Sequence, residues 1–177
     1  MTKLSHGTFP FLLLEQNMTK VQKTVGTKKF ASPFDMFETD KGSEVDGIVL
    51  NYSDVFWIKI ARAGGSNSRY KQVLNTKLTP FRRAIQTDTI TEEASARIMR
   101  EAAAEGLVLD WGTGVYPNGS GSIPGRNGQA IQFNVPNVIQ LFEDLPDLFD
   151  DVYSQATKVS LFRAGEAETD MGNFVKS

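Results

Sequence analysis

The stretch from Leu107 to Val115 constrains the fold of this chain more than any other. A helical pattern of apolar residues ends at Gly106, a short apolar run follows, and a glycine-rich segment begins after Trp111. Beyond that segment the pattern is helical again, so the run joins two helical regions. Trp111 is the largest side chain at this junction, and burying an aromatic of that size removes about 200 Å² from water. We therefore predict a short buried strand here, with Trp111 in a structural role.

The N-terminal half of the predicted domain reads as β structure. Strands are predicted over residues 30–39, 47–52 and 55–62, which are rich in β-branched and aromatic residues. Asp40–Ser43 is predicted to be a turn. The two-residue link Ser53–Asp54 favours an antiparallel hairpin between the last two strands. Because a hairpin alone is only marginally stable, we expect it to pack on helices.

The remainder reads as helical. Apolar stripes predict helices over residues 67–78, 89–106, 135–145 and 147–162. Thr89 with Glu92 has capping-box spacing, Thr91 is a competing cap, and Gly106 is expected in a left-handed C-terminal position. Residues 112–128 are predicted to form a glycine-rich loop. A short β segment is possible after it, near Ala130–Phe133. The predicted fold class is α+β, an N-terminal antiparallel β-hairpin or small sheet packed on a mainly α-helical body, in one domain over residues 29–163.

The two ends of the chain differ from the body and from each other in charge. Residues 1–28 are predicted to be a flexible arm, and 164–177 a frayed acidic tail. Residues 1–30 hold five lysines against one glutamate, a net of +4, whereas residues 140–177 hold eight acids against three bases, a net of −5. Opposite charge could drive self-association, or both ends could simply be solvated. The arm's apolar patch either folds back on the body or docks on a partner; its partner-binding candidates are Phe9, Phe11, Leu12 and Leu13.

The residues do not indicate catalysis. The chain has no cysteine, and its one histidine, His6, lies in the predicted arm, so no positioned base for a hydrolytic triad is visible. Asp144, Asp147, Asp150 and Asp151 lack calcium-loop spacing. No catalytic residue, cofactor site or metal site is predicted. The net charge of −2 and the lack of a long apolar run predict no nucleic-acid or membrane partner, and a cytosolic protein.

Several segments resemble, in order and spacing, the tail assembly chaperones of long-tailed bacteriophages over residues 29–174. They are Val55–Arg62, Ala63–Tyr70, Val108–Val115, Phe142–Phe149, Leu161–Arg163 and Gly172–Phe174. The resemblance implies a non-enzymatic protein that binds the tape measure protein, keeps its apolar helices soluble and helps recruit the tail tube protein. It also implies residence in the host bacterial cytoplasm during infection and absence from the mature virion.

We expect partner binding at an apolar groove beside the helices, formed by Tyr70, Val73, Phe149 and Val152, with Phe9–Leu14 assisting. Structural roles are expected for Trp57, Asp110, Trp111 and Phe162. The competing hypothesis is a structural tail or head–tail connector protein retained in the virion, and a small hydrolase or transferase is a distant third.

Overall fold

A computed structural model describes residues 32–163 of the chain. The helices are α1 (Pro33–Phe37), α2 (Lys41–Asp46), α3 (Ser68–Leu78), α4 (Arg82–Gln86), α5 (Glu92–Gly106), α6 (Val135–Asp144) and α7 (Pro146–Thr157), with 3₁₀ turns at Thr79–Phe81 and Val159–Phe162. The strands are β1 (Ile48–Tyr52), β2 (Phe56–Ile60), β3 (Val108–Thr113), β4 (Ser122–Pro124) and β5 (Ala130–Gln132). This is the predicted α+β class, with a small antiparallel sheet near the N-terminal side of the described chain. The predicted arm and acidic tail lie outside the described residues.

The predicted hairpin is confirmed and gains a third strand. β1 pairs antiparallel with β2, and the connection is tight because Ser53 and Asp54 both adopt left-handed conformations. On its other side β2 pairs antiparallel with β3, which places Ile58 opposite Trp111. The Leu107–Val115 stretch is therefore the far edge of the sheet as well as the link after α5. Three strands with a buried face have the stability that an isolated hairpin lacks.

The end of the glycine-rich segment and the residues that follow it form a second, two-stranded antiparallel sheet of β4 and β5. The short β segment near Ala130–Phe133 is confirmed as β5. The loop before β4 covers Trp57, whose Nε1–H donates to the Asn118 carbonyl at 2.8 Å and whose ring meets Tyr116 edge-on at 5.0 Å. A side chain at Gly112 would collide with the Trp57 ring. Close backbone approach to an aromatic ring is thus one reason for glycine here.

The strand predicted over residues 30–39 is wrong for its described part, which forms helix α1. Ser32 caps α1 by accepting the Asp35 N–H at 3.2 Å, and Pro33 occupies the first turn, where its missing N–H is harmless. The predicted Asp40–Ser43 turn is the start of α2, since Asp40 accepts the Gly42 and Ser43 N–H groups at 3.2 and 2.9 Å. Capping chemistry outweighed the β propensity of the aromatic residues.

The four long helices are confirmed, with small differences at their ends. Asn67 caps α3, and Thr91 rather than Thr89 caps α5 by accepting the Ala94 N–H at 3.2 Å. The last helix ends at Thr157, before a 3₁₀ turn. The buried core joins the inner face of the three-stranded sheet to these helices, and its large members include Ile58, Ile60, Leu107, Trp111 and Phe142. Trp57, which alternates with Ile58 along β2, is fully buried on the other face of the sheet, and Phe162 is fully buried outside this cluster.

Gly106 does not take the predicted left-handed conformation. It is the last residue of α5, and a Cβ built there would lie 2.8 Å from the Cα of Tyr70. Glycine is required here because α5 approaches the backbone of α3 too closely for a side chain.

We expect Gly106→Ala to lower the free energy of unfolding by about 1–3 kcal/mol, because α3 and α5 must move apart. Urea unfolding followed by circular dichroism measures this loss. Gly42→Ala is the matched control, since a Cβ there lies 3.4 Å from its nearest neighbour and alanine favours the helix. An equal effect of the two substitutions would contradict this interpretation of Gly106.

Candidate partner-binding site

An aromatic cluster connects α3, α6 and α7. The hydroxyl of Tyr70 lies 3.5 Å from the hydroxyl of Tyr153. The Tyr153 ring stacks with Phe149 at 5.9 Å, and Phe149 meets Phe142 edge-on at 5.4 Å. The structure therefore brings Tyr70 and Phe149, two of the predicted partner-binding residues, into one cluster through Tyr153.

The predicted residues differ in accessibility. Tyr70 is 4% exposed and Val152 is fully buried, so both belong to the core and present no surface in this conformation. Val73 and Phe149 are half-buried, as is Tyr153. We call these three residues the α3–α7 face. Sequence analysis missed Tyr153, although its position four residues after Phe149 on one helix was a usable signal.

Tyr70 in this cluster and Tyr52 on β1 remain neutral at physiological pH. Burial raises the pKa of Tyr70 above its ordinary value, and the Tyr153 hydroxyl adds to the shift. Burial likewise raises the pKa of Tyr52, whose hydroxyl donates to Asp151 at 2.8 Å. Both groups therefore act as packed, hydrogen-bonded rings at physiological pH.

The residues predicted to be structural occupy buried or bridging positions. Trp57, Trp111 and Phe162 are fully buried. Asp110 ties β3 to the following loop, because its carboxylate accepts the Trp111 N–H at 2.8 Å and the Ser120 hydroxyl at 2.5 Å. The Phe162 carbonyl accepts the Asp40 N–H at 2.8 Å and so connects the end of the described chain to α2.

A buried carboxylate lies at the junction of α2, the end of β2 and the segment before α3. Glu44 is 2% exposed, forms an ion pair with Arg62, and accepts the Thr39 hydroxyl at 2.5 Å and the Ser66 N–H at 2.6 Å. Burial alone would raise the pKa of Glu44, but the hydrogen bonds from Thr39, Ser66 and Arg62 outweigh it and lower the pKa from 4.5 to about 2. No sequence pattern had singled out Glu44.

Asn67 completes this junction. Its side-chain oxygen accepts the Tyr70 N–H at 3.2 Å, and its amide donates to the carbonyls of Arg62 at 2.8 Å and Gly106 at 3.1 Å. One buried side chain thus joins the end of β2, the start of α3 and the end of α5. The Ala63–Tyr70 segment is a structural junction that fixes where Tyr70 enters the aromatic cluster.

Within residues 32–163 no three His, Cys, Asp or Glu side chains come together as a metal site would require. Asp151 bonds to Tyr52, as above, and to Gln155 at 3.0 Å, while Asp144 accepts the Gln140 amide at 3.0 Å. No helix in the same part of the chain has the length and apolar character to span a membrane.

Comparisons with known proteins give one family. A search of curated proteins and a search of solved structures found no match. A family model described as YdaY prophage protein matches residues 65–173, well over half of the chain. The matched span begins at the Ala63–Tyr70 junction and includes the sheet strand β3 and every element of the aromatic cluster. The chain therefore belongs to the YdaY prophage protein family and is a phage-derived protein.

Proposed function

We propose that this prophage protein is a non-enzymatic tail assembly chaperone that binds the tape measure protein and helps recruit tail tube subunits. The observation that carries the proposal is the α3–α7 face, the half-buried apolar residues Val73 on α3 and Phe149 and Tyr153 on α7, of which the last two stack in the aromatic cluster. The phage origin and the order of segments that resembles tail assembly chaperones support it.

The chemistry of this face suits a helical partner. Aromatic rings offer a large apolar contact area at low cost in side-chain entropy, and an amphipathic helix lays its apolar stripe against such a surface. A tape measure protein is expected to carry many apolar helical stripes and to aggregate alone. A protein that binds those stripes keeps them in solution by mass action.

A second apolar surface lies on α1. Phe34 is 74% exposed and Phe37 is 66% exposed, on a helix of only five residues. Clustered exposed aromatic residues are typical of protein-interaction sites rather than of the surface of a monomer. This surface supports a binding function and gives the chaperone a second point of contact.

Co-expression tests the proposal directly. The tape measure protein of the same prophage is produced with and without this chain, and the soluble fraction is measured. We expect more soluble tape measure protein with the chain, and less of that gain with Val73→Gln or with Phe34→Ser and Phe37→Ser combined. Val115→Gln, at a residue 49% exposed on the glycine-rich loop, is the matched control. Equal solubility with and without the chain, together with fixed copies in purified virions, would instead favour the structural tail or connector protein.

We further expect that deleting residues 1–28 leaves the remaining domain folded but reduces partner binding or self-association, because that segment contains Phe9–Leu14 and most of the basic charge near the N-terminus. Melting and sedimentation of the truncated protein measure the two effects separately. Loss of folding on truncation would assign the segment to the core.

A further inference from the structure

Helix α1 carries more exposed apolar surface than a helix of its length can support alone. Phe34 is 74% exposed, Phe37 66% and Met36 40%, and no residue of this helix is buried. We call these three side chains the α1 surface. Isolated helices of fewer than roughly 12 residues are marginal in water, so a helix of five residues depends on packing. We therefore expect contacts over the α1 surface beyond those that residues 32–163 supply.

The described part of the chain ends beside this surface. The last 3₁₀ turn, Val159–Phe162, lies against α1. The N–H of Asp40, three residues after the helix, donates to the Phe162 carbonyl at 2.8 Å, and the Phe162 side chain is fully buried. Burial and this hydrogen bond fix the position of the turn. Residues 164–177 therefore start from a point next to α1.

These fourteen residues divide into an acidic part and an apolar part. Residues 164–170 hold three acids and no large apolar side chain, whereas Met171, Phe174 and Val175 lie within five residues of one another. The eight peptide steps from 163 to 171 span up to about 26 Å. Because α1 is only about 7.5 Å long, the apolar part can reach it while the acids stay in water. The match to the prophage family continues to residue 173, so the family pattern includes this region.

The size of the α1 surface favours a short segment over a second copy of the chain. Two phenylalanines exposed to this degree present roughly 300 Å² of apolar area. Two such surfaces packed together would bury roughly 600 Å², about half of the 1,200 Å² at which stable interfaces begin. A tethered segment needs less area, because a short linker gives it an effective concentration in the millimolar range.

We propose that Met171, Phe174 and Val175 pack on the α1 surface of their own chain and cover Phe34 and Phe37 until a partner displaces them. The packing is independent of the proposed function, and only the tape measure protein as the displacing partner rests on it. Covering these aromatic residues in the free protein also limits nonspecific association.

The lack of cysteine in the sequence permits a direct test by disulfide trapping. Met36→Cys with Asn173→Cys places one thiol on α1 and one in the apolar part of the tail. The dilute protein is oxidised mildly and followed on a non-reducing gel. We expect a cross-linked monomer that forms at least about tenfold faster than in the control pair, Val115→Cys with Asn173→Cys. Val115 is exposed on the glycine-rich loop.

Hydrogen exchange measures the same packing without added thiols. The Glu38 N–H donates to the Phe34 carbonyl at 2.8 Å, so its exchange reports the opening of α1. Phe174→Ser should speed this exchange about fivefold or more and leave the exchange of α5 unchanged. Lys176→Ser, in the same segment, is the matched control and should exchange like the wild type.

Several results would overturn the proposal. Equal trapping of the two thiol pairs, or Glu38 exchange that Phe174→Ser does not change, would show that the tail leaves α1 uncovered. A cross-linked dimer in place of the monomer would assign the α1 surface to a second copy. Faster exchange only after deletion of residues 1–28 would assign it to that segment. Neither measurement uses the tape measure protein, so failure of this proposal is distinguished from failure of the proposed function.

Discussion

Trp111→Ala is expected to lower the free energy of unfolding by about 3–5 kcal/mol, a large part of the stability of a typical domain. Trp111 is fully buried, lies opposite Ile58 in the sheet and meets Phe133 edge-on at 5.6 Å. Its removal leaves a cavity where the three-stranded sheet meets the β4–β5 hairpin. For a domain of this size the melting temperature should fall by about 10 °C.

Trp111→Phe separates packing from hydrogen bonding. The Trp111 Nε1–H is buried and has no hydrogen-bond partner in the described part of the chain, so phenylalanine loses volume but no hydrogen bond. We expect it to retain more than half of the stability lost in Trp111→Ala. Val115→Ala, at an exposed position, should change stability by less than about 0.5 kcal/mol. Unchanged melting of Trp111→Ala with selective loss of a partner would show instead that Trp111 is a binding contact.

Glu44→Gln is expected to cost about 3 kcal/mol, because it removes one partner of a buried ion pair. The glutamine amide also cannot accept at both former oxygens. If its oxygen keeps Arg62 and Thr39, its NH₂ group faces the Ser66 N–H, which lay 2.6 Å from the carboxylate. Urea unfolding at pH 7 measures the loss. Glu101→Gln, in the half-exposed pair with Lys77, is the matched control and should cost less than about 1 kcal/mol.

The same substitution should change the pH dependence of stability. The pKa of Glu44 is lower in the folded protein, about 2, than its ordinary 4.5, so the ionised carboxylate stabilises the fold above pH 4.5. That stabilisation is lost progressively as the pH falls from 4.5 toward 2. The loss of wild-type stability in this window should therefore be steeper than that of Glu44→Gln. Parallel curves for the two proteins would show that Glu44 is not held ionised by its partners.

Three of the four residues that sequence analysis selected as structural are large apolar side chains, which folding tends to bury. Trp57, Trp111 and Phe162 are large apolar side chains within strongly patterned segments, and burial of such groups dominates folding. By contrast, the sequence did not predict that Glu44 and Asn67 are buried. A polar side chain is buried at such a position only when groups from distant parts of the chain supply its hydrogen bonds. Arg62, Ser66 and Gly106 reach these two residues from other elements of the fold.

The same distinction applies to the candidate binding surfaces. The stripes of α3 and α7 predicted Tyr70, Val73, Phe149 and Val152 correctly as apolar faces, but periodicity cannot tell which residues of a stripe stay accessible after neighbouring helices pack. Tyr70 and Val152 were covered, and Val73 and Phe149 were not completely covered.

The sequence by itself determined the hairpin β1–β2, the helices α3, α5, α6 and α7, and the α+β class. These follow from apolar periodicity, turn residues and caps that act within a few neighbouring residues. Only the tertiary structure decided that β3 completes the sheet and that the carboxylate of Glu44 is buried. It also decided that residue 106 must be glycine, because the backbone of Tyr70 lies against it. Each of these depends on residues far apart in the chain, whose approach is fixed only when the whole domain packs.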